Sequence, residues 1–179
     1  MVMAIDLSRI SIRPFKLSDV DDVFLWAGDD RVTQNTRMET CGSRVEALAF
    51  IRDECIHPLR RSICLDDRSI GIIWVLPWRG DNSDRYKADL GYALGVNYWG
   101  HGIATTALKI VLPQVFQDFP HLRRLQAFTL VENKASQRVL EKVGFHREGL
   151  LRMFFYSKGN LEDFFVFSFL STDEIPHSV

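Results

Sequence analysis

Residues 88 to 105 read Ala-Asp-Leu-Gly-Tyr-Ala-Leu-Gly-Val-Asn-Tyr-Trp-Gly-His-Gly-Ile-Ala-Thr, and no other stretch limits the fold as tightly. The run 87–94 has strand character. It passes through the turn Gly100-His101-Gly102 into Ile103, Ala104, Ala107, Leu108, Val111, Leu112, Val115 and Phe116, an apolar stripe at helical spacing. A strand that enters a helix through a glycine turn aims unpaired backbone N–H groups at one point. The helix dipole adds partial positive charge there. Such a place binds phosphate or pyrophosphate, and glycines without Cβ atoms let the anion come close to the backbone.

Three nucleotide-type ligands compete for this loop. A Walker loop needs Gly-x4-Gly-Lys-Ser/Thr, which the chain lacks. A Rossmann fingerprint needs Gly or Ala where Thr105 stands, and an acid about 20 residues further on. The nearest suitable acid, Glu132, lies too far along. Coenzyme A is the remaining candidate.

The rest of the chain fits one α/β domain spanning residues 1–179. Ile10 and Ile12 alternate with Arg9 and Arg13 as a first strand ended by Pro14. Ser18 to Asp21 predicts a capped helix bearing Val20, Val23, Phe24 and Ala27. Ser43 to Glu46 predicts another, bearing Ala47, Leu48, Phe50 and Ile51. Runs 62–65 and 70–76 predict a hairpin, followed by a polar loop at 78–85. Pro113 should kink the helix after the glycine turn or end its regular part. A strand is expected at 125–131. Asn133 is expected to cap a helix with Ala135, Val139, Leu140 and Val143 on its apolar face, stopped at Gly144. Runs 150–157 and 162–170 flank Lys158-Gly159-Asn160 as a final hairpin. The predicted order is β-α-α-β-β-β-α-β-α-β-β, with a parallel crossover in the middle and hence a mixed sheet.

Composition excludes several classes. Net charge is −1 with no basic block, which speaks against nucleic acid. The apolar runs 70–77 and 164–170 are far too short to span a membrane, and residues 1–9 lack the apolar core of a signal peptide. Cys41, Cys55 and Cys64 match no zinc spacing and read as free thiols, so no metal is expected. A cytoplasmic or nuclear protein, monomer or homodimer, is the expectation.

The loop resembles the Gln/Arg-x-x-Gly-x-Gly/Ala signature of the GNAT acetyltransferase superfamily. Trp-Gly-His-Gly-Ile-Ala-Thr is similar to its RimJ/RimL branch, the ribosomal-protein alanine acetyltransferases. Asn133-Lys-Ala-Ser136 and Arg138-Val-Leu-Glu-Lys-Val-Gly-Phe145 resemble that branch's second motif. The resemblance runs over nearly the whole chain. It implies a GNAT fold, acetyl-CoA as co-substrate, and direct attack by an amine without an acyl-enzyme. It also implies cofactor contacts at Leu94, Gly95, Val96, Asn97, Trp99, Gly100, His101, Gly102, Ile103, Ala104, Thr105, Asn133 and Ser136. Free backbone groups near Leu94, Gly95 and Val96 would bond the pantetheine arm and polarise the thioester carbonyl. Two positions depart from the pattern. Asn97 replaces the usual Gln or Arg, and Leu140 replaces a Tyr that many members use to reprotonate the thiolate. Ser136 is the substitute suggested in this branch.

Acetyl transfer needs a neutral amine, a stabilised oxyanion and a protonated thiolate. Asp89 stands on the strand where relatives carry Glu. It is the candidate base acting through water, with a salt-bridged strand residue as the alternative. Ser136 is the candidate acid, with a backbone-bonding first-turn residue as the alternative. Glu141 and Glu148 read as surface charges. Trp26, Trp74, Trp78 and Trp99 read as core, or as the lining of an acceptor pocket. The expected acceptor is a protein N-terminal α-amine. A small amine (polyamine, amino sugar or arylalkylamine) is the alternative, and a catalytically silent CoA-binding module is a third reading.

Overall fold

The computed structural model describes residues 5–78, 84–157 and 159–176. The strands are β1 (Ile10–Arg13), β2 (Arg60–Leu65), β3 (Arg68–Pro77), β4 (Lys87–Leu94), β5 (Arg124–Leu130), β6 (His146–Ser157) and β7 (Asn160–Leu170). The α-helices are α1 (Val20–Ala27), α2 (Asp30–Thr33), α3 (Arg44–Phe50), α4 (Ile103–Asp118) and α5 (Lys134–Lys142). The strands form a seven-stranded sheet in the order β1-β2-β3-β4-β5-β7-β6. β4 and β5 run parallel and the described β1–β2, β2–β3, β5–β7 and β6–β7 pairs antiparallel, giving the mixed α/β sheet expected. The chain divides into two compact units, Met1–Trp74 with Tyr92–Ile110 and Val75–Gly91 with Val111–Val179.

In the first unit, Val23, Trp26, Ala27, Ala47, Ile51 and Ile72 pack as a buried core. β2 and β3 are joined through Asp66 and Asp67, with φ of 51° and 64°, the mirror-image turn whose twist suits a hairpin. α3 starts as its sequence predicts. Ser43 accepts the Glu46 N–H, while the Glu46 carboxylate reaches back to the Gly42 N–H at 2.8 Å.

Two expectations are corrected and a third is narrowed. Ser18 does not cap α1. The helix starts after Asp19, whose buried carboxylate accepts the Lys16 N–H and both terminal nitrogens of Arg13, all at 2.8 Å. A buried carboxylate keeps its charge only with such partners. Residues 29–42, expected from the sequence to be a loop on the acceptor side, contain α2, capped by the Asp29 side chain on the Arg31 N–H. Of the two outcomes expected at Pro113, a kink or an end, the end is not seen: Pro113 lies inside α4, which runs on to Asp118.

In the second unit, Leu112, Leu122, Leu125, Leu140 and Phe167 are fully buried. The register puts Leu125, Ala127 and Thr129 of β5 beside Phe169, Phe167 and Phe165 of β7 on one face. The Phe145 ring lies 5.3 Å from that of Phe169. Gly144, with φ of 95°, ends α5 as expected, and the Phe145 N–H closes back on the Leu140 carbonyl at 3.0 Å. β6 begins at His146, four residues earlier than the sequence suggested, directly behind this stop.

Candidate active site

β4 spans residues 87–94 as its sequence predicts, and a single 3-10 turn, Val96–Tyr98, follows it. Gly95 is fixed by packing. A Cβ there would come within 3.2 Å of both Trp26 Cβ and Tyr98 Cδ2. Of the backbone groups expected free near Leu94, Gly95 and Val96, four are taken. The Gly95 N–H donates to the Ile70 carbonyl at 2.9 Å, and the Trp99 indole donates to the Leu94 carbonyl at 2.7 Å. The Gly95 and Val96 carbonyls accept the N–H groups of Tyr98 and Trp99. The Val96 N–H makes no backbone hydrogen bond among the described residues. Trp99 therefore pins the turn to the strand end through its indole while 44% of its surface stays exposed.

Gly100 and Gly102 have φ of 78° and 81°, the left-handed region that favours glycine. Their alternation with His101 bends the chain so that α4 starts at Ile103. The first N–H of the loop to close on an α4-type acceptor is that of Thr106, on the Gly102 carbonyl at 3.0 Å. The N–H groups of Ile103, Ala104 and Thr105 precede it and have no acceptor within the helix. Among the described residues, its two chain neighbours apart, no atom lies within 4 Å of the point where a Gly100 Cβ would sit. Left-handed glycines, orphan N–H groups and open space suit a diphosphate. Asn97 is exposed, and Leu94 and Ile103 are buried.

In the second unit, Asn133 caps α5, its side-chain oxygen accepting the Ser136 N–H at 3.1 Å. Gln137 anchors the same turn by donating to the carbonyls of Leu130 and Val131 at 3.1 and 3.0 Å. Asn133 and Ser136 are thus brought together and Ser136 is partly buried. Leu140 is wholly buried and offers no proton.

Asp89 is not joined to them. The parallel register takes in Lys87 to Asp89 against Arg124 to Gln126, which sets Asp89 beside Gln126. Gln126 alternates with Leu125 and Ala127, so Asp89 belongs to the face opposite Phe167 and Phe169. Lys134 of α5 lies over the Phe165 ring on that other face. Asp89 is partly buried, and its Oδ1 accepts the Trp78 indole N–H at 2.7 Å. The salt bridge offered as its alternative does not form among the described residues. Sequence reasoning missed the indole's partner, because Trp78 was read as core or as pocket lining beside a polar loop and its spacing to Asp89 carries no signal.

Glu148 is the surface charge expected, and it is paired. Arg124 forks onto both of its oxygens, with Nη1–Oε1 at 2.9 Å, and the Ser168 hydroxyl donates at 2.7 Å. The Arg124 hydrogen bonds come first and that of Ser168 second in holding its carboxyl down to about 2. A carboxyl depressed in the folded state stabilises above its unfolded value of about 4.3 and loses that contribution as pH falls through the folded one. Glu148→Gln should therefore lower Tm modestly at pH 7, since water screens a side chain 42% exposed. The difference from wild type should close between about pH 4.5 and 2 in a thermal-melt series.

Trp26 is 2% exposed and Trp74 packs against the core, so both are core residues. The three thiols are free and buried, and burial pushes Cys55 up to about 12, which leaves no thiolate for nucleophilic work. Among the described residues no helix is long and apolar enough to cross a membrane, and no group of His, Cys, Asp or Glu could hold a metal.

The family profile described as "Acetyltransferase (GNAT) domain" matches residues 9–146. The chain belongs to the GNAT acetyltransferase family and is an N-acetyltransferase; the family's acyl donor is acetyl-CoA. A Bacillus licheniformis protein named "Uncharacterized N-acetyltransferase p20" is 27% identical over 92% of this chain and 94% of its own length. Mycobacterium smegmatis RimJ in complex with CoA-disulfide superposes with a TM-score of 0.75 at 24% identity, over 90% of this chain and 82% of that one. The ribosomal-protein-S5-alanine acetyltransferase of Vibrio fischeri gives 0.76 at 20% identity, over 97% and 100%.

Proposed function

We propose that the acceptor is a protein N-terminal α-amine and that the loop 94–105 holds the CoA diphosphate. The observation that carries the cofactor reading is the pair of left-handed glycines directly before the orphan N–H groups of α4. Bound acetyl-CoA supplies the activated acyl group. The Val96 N–H is the donor left over for the pantetheine arm or the thioester carbonyl. Asp89, on the sheet face opposite α5, takes a proton from the amine through water, and Ser136 returns one to the departing sulfur. Asn133, besides capping α5, contributes to cofactor binding. The neighbours named as RimJ and as a ribosomal-protein alanine acetyltransferase support the protein acceptor.

An α-amine has a pKa near 8 against about 10.4 for a lysine side chain. It is partly neutral at pH 7, so a weak base working through water suffices. The expected kcat/KM rises with pH and levels off near about 8 to 8.5, where a lysine acceptor would keep gaining to roughly pH 10. Small first residues such as Ala or Ser should be preferred. Short peptides varied at residue one, each with an N-terminally blocked twin that keeps its lysines, test this by mass spectrometry. Acetylation that persists in the blocked twins contradicts the α-amine reading, and activity with free small amines alone favours the small-molecule alternative.

A further inference from the structure

We propose that Trp78 is a positioning residue for Asp89, holding one carboxylate oxygen so that the other faces the proton-relaying water. The proposal rests on the reading of Asp89 as the base. Its geometry is independent of that reading. The indole N–H donates to Asp89 Oδ1 at 2.7 Å. The Trp78 ring is itself held, with Lys87 Nζ 4.4 Å from its centroid and paired to Asp84 Oδ1 at 2.7 Å. Lys87 and Asp89 alternate onto the same face of β4, so the cation braces the ring beside the carboxylate the ring serves.

Arg124 and Glu148 beside this face pair with each other, and His146 shares the face through its register with Ser168. Arg124, the register partner of Lys87, turns to Gln126 Oε1 at 2.9 Å and forks onto Glu148. Asp89 Oδ2 makes no hydrogen bond among the described residues. An indole is a neutral donor. It fixes the carboxylate plane without pairing the charge away, whereas an arginine fork would orient the group and also weaken it as a base. In the step this serves, the amine nitrogen bonds to the thioester carbon while its proton passes to water and a water proton passes to Asp89 Oδ2. The carbon–sulfur bond breaks, and the thiolate leaves with the electron pair.

Trp78→Phe keeps a ring for Lys87 and removes only the donor. Trp78 is 40% exposed, so the fold should tolerate it. The variant should lose about 10- to 100-fold in kcat, with KM for acetyl-CoA unchanged, as expected for a lost hydrogen bond to a charged group. The substitution should add no further loss in an Asp89→Asn background. In wild type the Trp78 indole N–H resonance, assigned by its absence from Trp78→Phe, should lie downfield, as for a donor to a carboxylate, and should move upfield in Asp89→Asn. Equal losses in both backgrounds, or an indole resonance that does not move in Asp89→Asn, overturns the positioning role while leaving Asp89 as base. Full activity of Asp89→Asn would instead remove the base reading, and the proposal with it.

Discussion

Gly102→Asp should abolish the rise in melting temperature that CoA gives the wild-type chain, and leave the fold intact. A ligand at a hundred times its Kd stabilises the native state by about 2.7 kcal/mol. For a chain of this size that is roughly 5 to 10 °C in Tm. Gly102 sits at φ 81°, where an aspartate is strained but tolerated better than most residues. A Cβ there meets only Leu7 Cδ1 at 3.5 Å, an ordinary contact. The damage is therefore electrostatic and local, a carboxylate placed where the diphosphate should sit against the α4 N-terminus. Gly102→Asn carries the same backbone strain and no charge. It should keep part of the CoA-induced shift and so separates charge from bulk. Thermal melts of the three proteins with and without CoA decide it, and equal shifts in wild type and Gly102→Asp would contradict the site.

Ser136→Ala is expected to lower kcat on the order of 100-fold, with KM for acetyl-CoA nearly unchanged, the signature of a lost proton donor. The bond from the residue-136 N–H to Asn133 Oδ1 is a backbone donation that alanine also makes, and alanine is the better helix former. A thermal melt of the variant beside the kinetics separates a rate loss from a loss of stability. Steady-state kinetics at saturating acceptor measures the rate. A variant with full kcat would remove Ser136 and leave water to protonate the thiolate.

What was legible in the sequence is what neighbours in sequence decide. β4 begins and ends where its residues predicted, and Asn133 and Gly144 bracket α5 as expected. Each depends on hydrogen bonds or φ angles within a few residues. What was missed depends on partners far along the chain. Arg124 finds Glu148 across 24 positions, and Trp78 finds Asp89 across 11, separations that no periodicity announces. Ser18 looked like a cap because its spacing was right. Asp19, paired with Arg13, holds that turn instead. The cofactor loop lies between these cases. Its glycines and helix start were legible, but the pinning of Leu94 by the Trp99 indole was not.

The central claim is that an amine attacks acetyl-CoA on this protein, and CoA-thiol release followed continuously over a panel of N-terminal peptides and small amines tests it most directly. The predicted result is thiol release well above the amine-free rate with at least one free N-terminal peptide, matched by one acetyl group on that peptide and absent from its blocked twin. CoA binding without any acceptor-dependent release across the panel would contradict it and leave a silent CoA-binding module.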